Sequence, residues 1–293
     1  MVKKLLKIFS VLLIVTLIIA GIFFYSIYIS VGRINIDYGT LSSEKIPTDM
    51  DGVSIAFFSD IHYGTFMDHE RLQSMIEKIK NTHPDILIFI GDVFDHPETS
   101  SPDEETVQKM IATLRSLDAP LGKFAVLGEH DEVNEDIKTM VKQILYQSDF
   151  EVLENRSVRL RNGTNSSITL IGIDSLINGT VDIAAAFHNV NAEEYNILIT
   201  HCPDLATSSD LPLTSIDLIV AGHSHGGQIY LPFIGPISPM DGAKTYYHGS
   251  YTINDTQLVI TNGLGTTGMD MRLFAPPQLT FYRLHSKAPK AEE

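Results

Sequence analysis

The chain has 293 residues, a formal net charge of −15 at pH 7, one cysteine and no tryptophan. An acidic excess of this size provides no basic surface for phosphate backbones, so we expect no nucleic-acid partner. The single cysteine, Cys202, excludes an internal disulfide framework.

The amino-terminal segment is apolar. Ile8–Val31 contains no charged residue, and its 24 residues exceed the ~20 needed to cross a bilayer. Lys3, Lys4 and Lys7 precede this stretch, so the positive-inside rule predicts that residues 1–7 are cytoplasmic. A cleaved signal peptide is the alternative, but the apolar core is longer than usual and no clear AxA site follows it. We therefore expect a transmembrane anchor over residues 8–31 of a single-pass cell-membrane protein, with the rest of the chain on the extracytoplasmic side.

Composition divides the rest of the chain into three stretches. We expect residues 32–51 to form a polar linker or an opening strand, and residues 286–293 to form a loose tail. Residues 52–285 lie between them, and roughly 230 residues are enough for one large hydrophobic core. We therefore expect a single domain over residues 52–285.

Periodicity indicates an α/β domain. Apolar residues have helical spacing over Leu72–Asn81 and Glu104–Leu117, and both stretches lie between apolar runs typical of strands, which indicates βαβ units. After Gly226 the pattern becomes rich in strands, with Gln257–Thr261 and Gln278–Leu284 as two of them. The predicted architecture is a mixed β-sheet sandwich flanked by helices.

Five of the apolar runs end in acidic or histidine residues. Such runs predict buried strands, and ligands collect outside the carboxyl ends of strands. Taken singly, each polar residue could instead cap a helix or form a turn. Together they predict a metal site, because carboxylates and imidazoles are rarely buried unpaired. The runs are Val53–Phe58 before Asp60 and His62, Ile86–Ile90 before Asp92, Phe124–Leu127 before Glu129, His130 and Asp131, Asn196–Thr200 before His201, and Asp217–Ala221 before His223 and His225.

Two other kinds of hydrolase fit the sequence less well. Gly222–Gly226 matches GxSxG, with Ser224 as the nucleophile, but a nucleophile elbow needs a following helix. The prolines and the glycine of Gln228–Pro236 disfavour one. A zinc peptidase is disfavoured because His69–Gln73 lacks the second histidine of HExxH.

The five motifs resemble, in order and spacing, those of the calcineurin-like metallophosphoesterases. This resemblance extends from about Val53 to Leu284. Asn262–Gly268, followed by Arg272–Phe274 and Pro276-Pro277, is similar to the membrane-associated or secreted bacterial phosphodiesterases of that family. We therefore expect a hydrolase that acts on phosphoric ester bonds.

The resemblance also implies a dinuclear metal centre. It assigns Asp60, His62 and His225 to one divalent ion, Glu129, His201 and His223 to the other, and Asp92 to both. In the family the attacking species is a metal-bound hydroxide. The mixed oxygen and nitrogen ligands suit manganese, iron or zinc.

The resemblance implies a catalytic role for the residues that follow Glu129. His130 would stabilise the phosphoryl oxygens or protonate the leaving alkoxide, and Asp131 would orient its ring. Because Glu129 stands where the family normally has asparagine, it adds negative charge to the second metal site. This charge could tighten the metal, favour a different ion or lower its Lewis acidity, or Glu129 could swing away from the site.

Two functions follow from these observations. The first is a membrane-anchored, metal-dependent phosphohydrolase, either a phosphodiesterase or a pyrophosphohydrolase, with a phosphate-ester substrate from the cell envelope or linked to a lipid. The second, motivated by Glu129, is a metal-binding sensor or binding module with a degenerate catalytic site.

Several polar residues near the motifs have ambiguous roles. Arg272 and Lys244 could add positive charge near the site or be solvated surface charges. Asp95 and His96 could support the metal ligands from behind. We expect Cys202 to be a small buried residue rather than a ligand, although it follows His201.

Overall fold

The amino terminus forms one long apolar helix. The computed structural model describes residues 1–287. Helix α1 (Val2–Phe24) continues through a π-helical turn, Tyr25–Ile29, and a 3₁₀ turn, Ser30–Gly32. The 31 residues Val2–Gly32 have a mean hydropathy of 2.7 in their most apolar window, so this segment is long and apolar enough to cross a membrane. The expected anchor over residues 8–31 lies inside it.

The end of this helical segment packs against the rest of the protein. Ser26, Ser30 and Val31 are buried, unlike α1 itself. The backbone N–H of Arg272 donates to the carbonyl oxygen of Ser26 at 3.0 Å. The guanidinium of Arg71 donates to the carbonyl oxygen of Val31 at 2.8 Å. The apolar amino-terminal helix is therefore attached to the folded domain by specific contacts.

Fourteen strands and four further helices follow within the described residues. The helices are α2 (His69–Lys80), α3 (Glu104–Arg115), α4 (Glu135–Gln147) and α5 (Ile183–Phe187). The strands are β1 (Asn35–Ser43), β2 (Ser54–Phe58), β3 (Ile86–Ile90), β4 (Lys123–Val126), β5 (Phe150–Val152), β6 (Arg156–Leu160), β7 (Ile168–Gly172), β8 (Tyr195–Thr200), β9 (Leu218–Ala221), β10 (Tyr230–Leu231), β11 (Gly235–Pro236), β12 (Gly249–Ile253), β13 (Thr256–Ile260) and β14 (Gln278–Ser286).

Twelve of these strands form two six-stranded mixed sheets. The first has the order β1-β14-β2-β3-β4-β5, in which β2 to β5 are parallel and β14 is antiparallel to β2. The second has the order β12-β13-β9-β8-β7-β6, in which β13, β9, β8 and β7 are parallel. The short hairpin β10–β11 stands apart. The segment expected to be a linker or an opening strand contains β1, which pairs in parallel with β14.

Alternation along the strands of the first sheet separates two of the three core clusters of the described residues. Ile55 and Phe57 of β2 belong to the cluster that contains Ile88 of β3 and Ile199 of β8, and this cluster fills the space between the sheets. Successive strand residues point to opposite faces, so the neighbouring Phe58 packs with the helices α2 to α4 on the outer face. The expected mixed sandwich flanked by helices is thus confirmed.

The helix starts follow local capping chemistry. Asp68, Asp103 and Asn134 each accept, with a side-chain oxygen, a backbone N–H from the first turn of α2, α3 and α4 respectively. Such caps satisfy N–H groups that have no partner within the helix. They explain why α2 begins at His69, three residues before the predicted start. Of the expected tail, Ser286 belongs to β14, and residues 288–293 lie outside the described residues.

Ile88→Ala should destabilise the domain, because Ile88 is fully buried between the sheets and truncation leaves a cavity. We expect the free energy of unfolding to fall by about 2 to 5 kcal/mol, measured by urea unfolding of the whole chain in detergent. Tyr146→Ala, at a half-exposed position of α4, should change it by less than about 0.5 kcal/mol. Equal effects of the two substitutions would contradict this packing.

Candidate metal centre

The seven expected metal ligands lie together at one edge of the sandwich. The first sheet supplies ligands from the loops after β2, β3 and β4, and the second sheet from those after β8 and β9. Because these strands are parallel within each sheet, their carboxyl ends share an edge, where sites form in α/β proteins. The residues brought together are Asp60, His62, Asp92, Glu129, His201, His223 and His225.

The backbone at most of these residues is strained. Five of the seven have a positive φ, between 45° and 66°, in the left-handed region that non-glycine residues rarely adopt. Each such residue costs of order 1 to 3 kcal/mol, so the surrounding structure must impose the conformation. Residues of this kind cluster at functional sites. They are Asp60, His62, Asp92, His223 and His225.

Asp60, His62 and His225 form a first subsite. The Nε2 atoms of His62 and His225 are 3.1 Å apart, and Oδ1 of Asp60 lies 3.9 Å from each of them. Oδ2 of Asp92 lies 3.5 Å from Nε2 of His62. All four side chains are buried. Two imidazole nitrogens and two carboxylates therefore surround one point, which is a donor set suited to a divalent transition metal.

Glu129, His201 and His223 form a second subsite. Nε2 of His201 lies 2.8 Å from Oε2 of Glu129 and 3.3 Å from Oδ2 of Asp92. Nδ1 of His223 lies 2.8 Å from Oε1 of Glu129. The same oxygen of Asp92 thus faces both subsites. Glu129 does not swing away: its carboxylate lies between the two histidines.

For two of the imidazoles, a hydrogen bond to a backbone carbonyl determines which ring nitrogen carries the proton. Nδ1 of His201 lies 2.6 Å from the carbonyl oxygen of Ile90, and Nε2 of His223 lies 2.5 Å from that of Asp241. A carbonyl only accepts, so these nitrogens donate, and in the neutral form that binds a metal the other nitrogen of each ring directs a lone pair at Glu129. Buried lone pairs that face one another need a cation between them, so the residues fit a divalent metal. Within residues 1–287, the atoms with no hydrogen-bond partner include Asp92 Oδ2, Glu129 Oε2, His201 Nε2 and His223 Nδ1.

The two subsites differ in electrostatics. Burial lowers the pKa of His201, but the charges of Asp92 and Glu129 outweigh burial and raise this pKa well above its usual value. In the first subsite burial prevails and lowers the pKa of His62 to about 4 and that of His225 well below its usual value. At neutral pH the first subsite therefore presents neutral imidazoles, the form that binds metals. In the second subsite the carboxylates of Asp92 and Glu129 favour positive charge beside them, carried either by protons on the histidines or by a metal ion.

Asp131 holds the ligand loops and does not orient His130. Its carboxylate accepts the backbone N–H groups of Asp92 at 2.7 Å, Val93 at 2.9 Å and Gly128 at 2.9 Å. All three of these bonds come from backbone amides, and among the described residues Asp131 makes no hydrogen bond to the His130 ring. Our expectation for this residue was therefore wrong in its geometry. Asp131 joins the loops that follow β3 and β4.

His130 lies at the half-buried side of the centre. One of its ring nitrogens is within 4.8 Å of ligand atoms of His62 and Asp92. Its Nδ1 accepts the backbone N–H of His96 at 3.4 Å, so the proton of the neutral ring is on Nε2. Asp95 is buried, and its Oδ1 lies 3.7 Å from Nδ1 of His62, so its negative charge faces that ring from behind without a hydrogen bond.

Two glycines make the close approach of these loops possible. A Cβ on Gly128 would lie 2.1 Å from Oδ1 of Asp92, and a Cβ on Gly91 would lie 2.4 Å from the backbone nitrogen of Gly128. Gly91 also has a φ of +82°. The Gly-Asp and Gly-Glu pairs in the sequence are the local signal for this packing.

Arg272 is the supporting residue whose role the sequence did not reveal. It is fully buried, and its guanidinium donates to the carbonyl oxygens of Asn262 at 2.8 Å, Ala275 at 2.7 Å and His225 at 3.3 Å. Nε donates to the carbonyl oxygen of Gly265 at 3.1 Å. Arg272 therefore ties the turn that carries His225 to the loop between β13 and β14, and the surface-charge interpretation is wrong.

Other sequence alternatives are also decided. The Oγ atom of Ser224 accepts the N–H of Gly226 at 3.2 Å, and the following His225–Gly227 is a single 3₁₀ turn, so no nucleophile elbow forms. Cys202 is buried, as expected. Lys244 is exposed and pairs with a neighbouring aspartate, as a surface charge does.

Arg272→Met should weaken Mn²⁺ binding by about 10- to 100-fold, because the carbonyl of the ligand His225 loses its donor. Arg283→Met is the matched control, since Arg283 is exposed and donates to Gly52 at the opposite end of the sheet. Calorimetric titration of the whole chain in detergent measures both affinities, and thermal unfolding checks the fold. An unchanged affinity in folded Arg272→Met would refute the positioning role.

Comparison with known proteins agrees with this geometry. The family model for the calcineurin-like phosphoesterases matches residues 53–227, more than half of the chain. The metallophosphoesterase YkuE of Bacillus subtilis is 33% identical over 263 residues, 89% of each chain, and a metallophosphoesterase of Aquifex aeolicus is 27% identical over 85% of this chain and 90% of its own length. A transmembrane protein with metallophosphoesterase domain from Danio rerio is 25% identical over 81% of this chain, which spans 54% of that longer protein. The chain therefore belongs to the calcineurin-like phosphoesterases.

Proposed function

We propose that the protein is a membrane-anchored, metal-dependent phosphohydrolase, either a phosphodiesterase or a pyrophosphohydrolase. The observation that carries the proposal is the convergence of bare lone pairs around Asp92 Oδ2. In this assignment Asp60, His62 and His225 would hold the first metal, and Asp92 would contribute to both metal sites. Manganese, iron or zinc suits these nitrogen and oxygen donors.

The second metal would be held by a more acidic set of residues. Glu129, His201 and His223 would hold it together with Asp92. When bound, two divalent ions supply Lewis acidity toward phosphate oxygens and lower the pKa of the water that attacks phosphorus.

We assign proton donation to His130. Its Nδ1 accepts the backbone N–H of His96, which leaves the proton on Nε2. In this neutral form the N–H beside His62 and Asp92 can hydrogen-bond a phosphoryl oxygen, and in the imidazolium form, with a second proton on Nδ1 in place of the His96 contact, it can release a proton to the leaving alkoxide and return to the neutral ring. Asp131 contributes indirectly, since its bonds to the backbone of Asp92 and Gly128 hold the loops at their separation.

The amino-terminal helix supports a place at the cell membrane. Lys3, Lys4 and Lys7 precede the apolar span, so we propose that the domain lies on the extracytoplasmic side. Relatives from Danio rerio and Bos taurus are named transmembrane proteins with a metallophosphoesterase domain. An anchored phosphohydrolase meets substrates at the bilayer surface, which favours a cell-envelope or lipid-linked phosphate ester.

A metal-binding sensor with a degenerate site is the second candidate, and Glu129 is the observation that favours it. The Glu129 carboxylate lies 2.8 Å from both His201 and His223, so it satisfies these histidines itself when they are protonated. An anionic ligand also lowers the Lewis acidity of the metal it binds. Binding without turnover would follow from such a site.

Asp92→Asn should abolish metal-dependent hydrolysis of bis-p-nitrophenyl phosphate by the whole chain in detergent, after metal removal and addition of Mn²⁺. We expect a loss of more than about 100-fold, since even residues behind a ligand contribute about 10- to 100-fold. Asp103→Asn is the control, because it makes the same chemical change at the exposed cap of α3, where asparagine caps equally well. Hydrolysis that survives in Asp92→Asn would exclude this centre as the catalyst.

Substitutions at Glu129 separate the two candidate functions. If Glu129 is an adapted ligand, Glu129→Gln, which keeps the shape and removes the charge, should weaken the second Mn²⁺ by about 10- to 100-fold in calorimetric titration. Glu129→Asn should then lower turnover. A large gain of turnover in Glu129→Asn would instead identify a degenerate site in the present chain.

A further inference from the structure

Exposed apolar side chains are concentrated in two segments close to the metal centre. Among the described residues after Ile29, eight large hydrophobic side chains are exposed, and five of them lie within residues 228–238 and 263–276. Phe233 is fully exposed and Ile234 is 79% exposed. Exposed apolar clusters mark interaction surfaces rather than ordinary surface composition. We name this cluster the apolar lip; it consists of Phe233, Ile234, Ile237, Met269 and Phe274.

The two segments form one connected structure. The N–H of Tyr230 donates to the carbonyl oxygen of Leu273 at 2.9 Å, and the N–H of Leu273 donates to that of Gln228 at 3.0 Å. The side-chain amide of Gln228 donates to the carbonyl oxygens of Thr267 and Met269. The hairpin β10–β11, with Phe233 and Ile234 at its turn, is therefore fixed to the loop that carries Phe274.

This structure is also attached to the membrane helix. A cavity of about 600 Å³ is lined on one side by Ile18, Gly21, Ile22 and Tyr25 and on the other by residues that include Phe274. The backbone bond from Arg272 to Ser26 lies beside it. The lip thus continues the apolar surface of the anchor.

Helix geometry sets the depth of the lip. A hydrocarbon core of about 30 Å takes about 20 helical residues, which extend from Ile8, the first residue after Lys7, to about residue 27. With a rise of about 1.5 Å per residue, Ile22 lies about 7 Å and Ile18 about 14 Å below the hydrocarbon surface. Phe274 lines a cavity with both, so its side chain lies at the level of the lipid chains.

The lip carries few charges to desolvate. Residues 228–238 contain none, and residues 263–276 contain only Asp270 and Arg272. Asp270 is paired with Arg71 at 2.8 Å and accepts a bond from Thr266, and Arg272 is fully buried. Immersion of this surface therefore removes apolar area from water, at about 25 cal/mol per Å², without exposing an unpaired charge to lipid.

We infer that the apolar lip inserts into the leaflet on the side of the catalytic domain and holds the metal centre at the bilayer surface. This inference rests on the membrane anchoring proposed above. A groove of about 330 Å³ leads from the lip toward the centre: Ile237 and Met269 line it, as does Ser224, which lies between the ligands His223 and His225. A phosphate ester that carries a lipid chain can place its phosphate at the metals while the chain stays in the groove and the leaflet.

The absence of tryptophan from the sequence allows a direct test. Phe233→Trp and Phe274→Trp place single fluorophores on the lip, and Tyr146→Trp places one at a half-exposed position of α4. Each whole-chain variant is reconstituted in phosphatidylcholine vesicles, with and without lipids brominated along their chains. We expect the two lip variants to have blue-shifted emission and to lose most of it to the bromines, whereas Tyr146→Trp should keep its emission.

The outcomes distinguish the lip from the proposed function. If Phe233→Trp has the same emission wavelength and the same quenching as Tyr146→Trp, in vesicles that carry the protein, the insertion of the lip is refuted while the membrane anchor is unaffected. Equal quenching of all three would overturn it as well, because the immersion would then not be specific. Protein that does not float with the vesicles would overturn both the anchor and the lip. A lack of phosphoesterase activity in the same samples would count only against the proposed catalysis.

Discussion

The structure depends on one electrostatic constraint: three carboxylates and four imidazoles converge in a space with little access to water. The acceptor atoms of Asp92, His201 and His223 face one another without hydrogen-bond partners in residues 1–287. Desolvated charges in such an arrangement cost several kcal/mol each unless a counter-charge binds them. The site therefore needs positive charge between these groups, which divalent metals or protons supply, and the two sheets provide the edge that brings the groups together.

Two oppositely charged residues keep this edge in a strained conformation. Asp131 collects backbone N–H groups from the loops after β3 and β4, and Arg272 collects backbone carbonyls from the turn of His225 and the loop before β14. Loops that leave a sheet edge lose the ladder partners of their backbone groups. A buried carboxylate and a buried guanidinium replace those partners, which stabilises left-handed residues such as Asp92 and His225.

The sequence predicts what is local. Short apolar runs predict the strands whose ends carry the candidate ligands, from Asp60 to His225. The helical spacing of apolar residues predicts α2 and α3 in the same way. The missed features are those that join distant segments. Arg272 could not be placed, because the burial of an arginine among carbonyls depends on loops far apart in the chain. The sequence does not predict the pairing of β1 with β14 for the same reason, because tertiary packing determines which strands pair.

The loop between β13 and β14 connects the candidate metal centre to the amino-terminal helix. Through the Arg272 side chain it holds the turn of His225, and through the Arg272 backbone it holds Ser26 at the end of the amino-terminal apolar helix. A displacement of the helix relative to the domain would therefore have to disturb the turn of His225 or break these bonds. These bonds fix the orientation of the candidate metal centre relative to the amino-terminal helix, an orientation that a flexible tether would leave free.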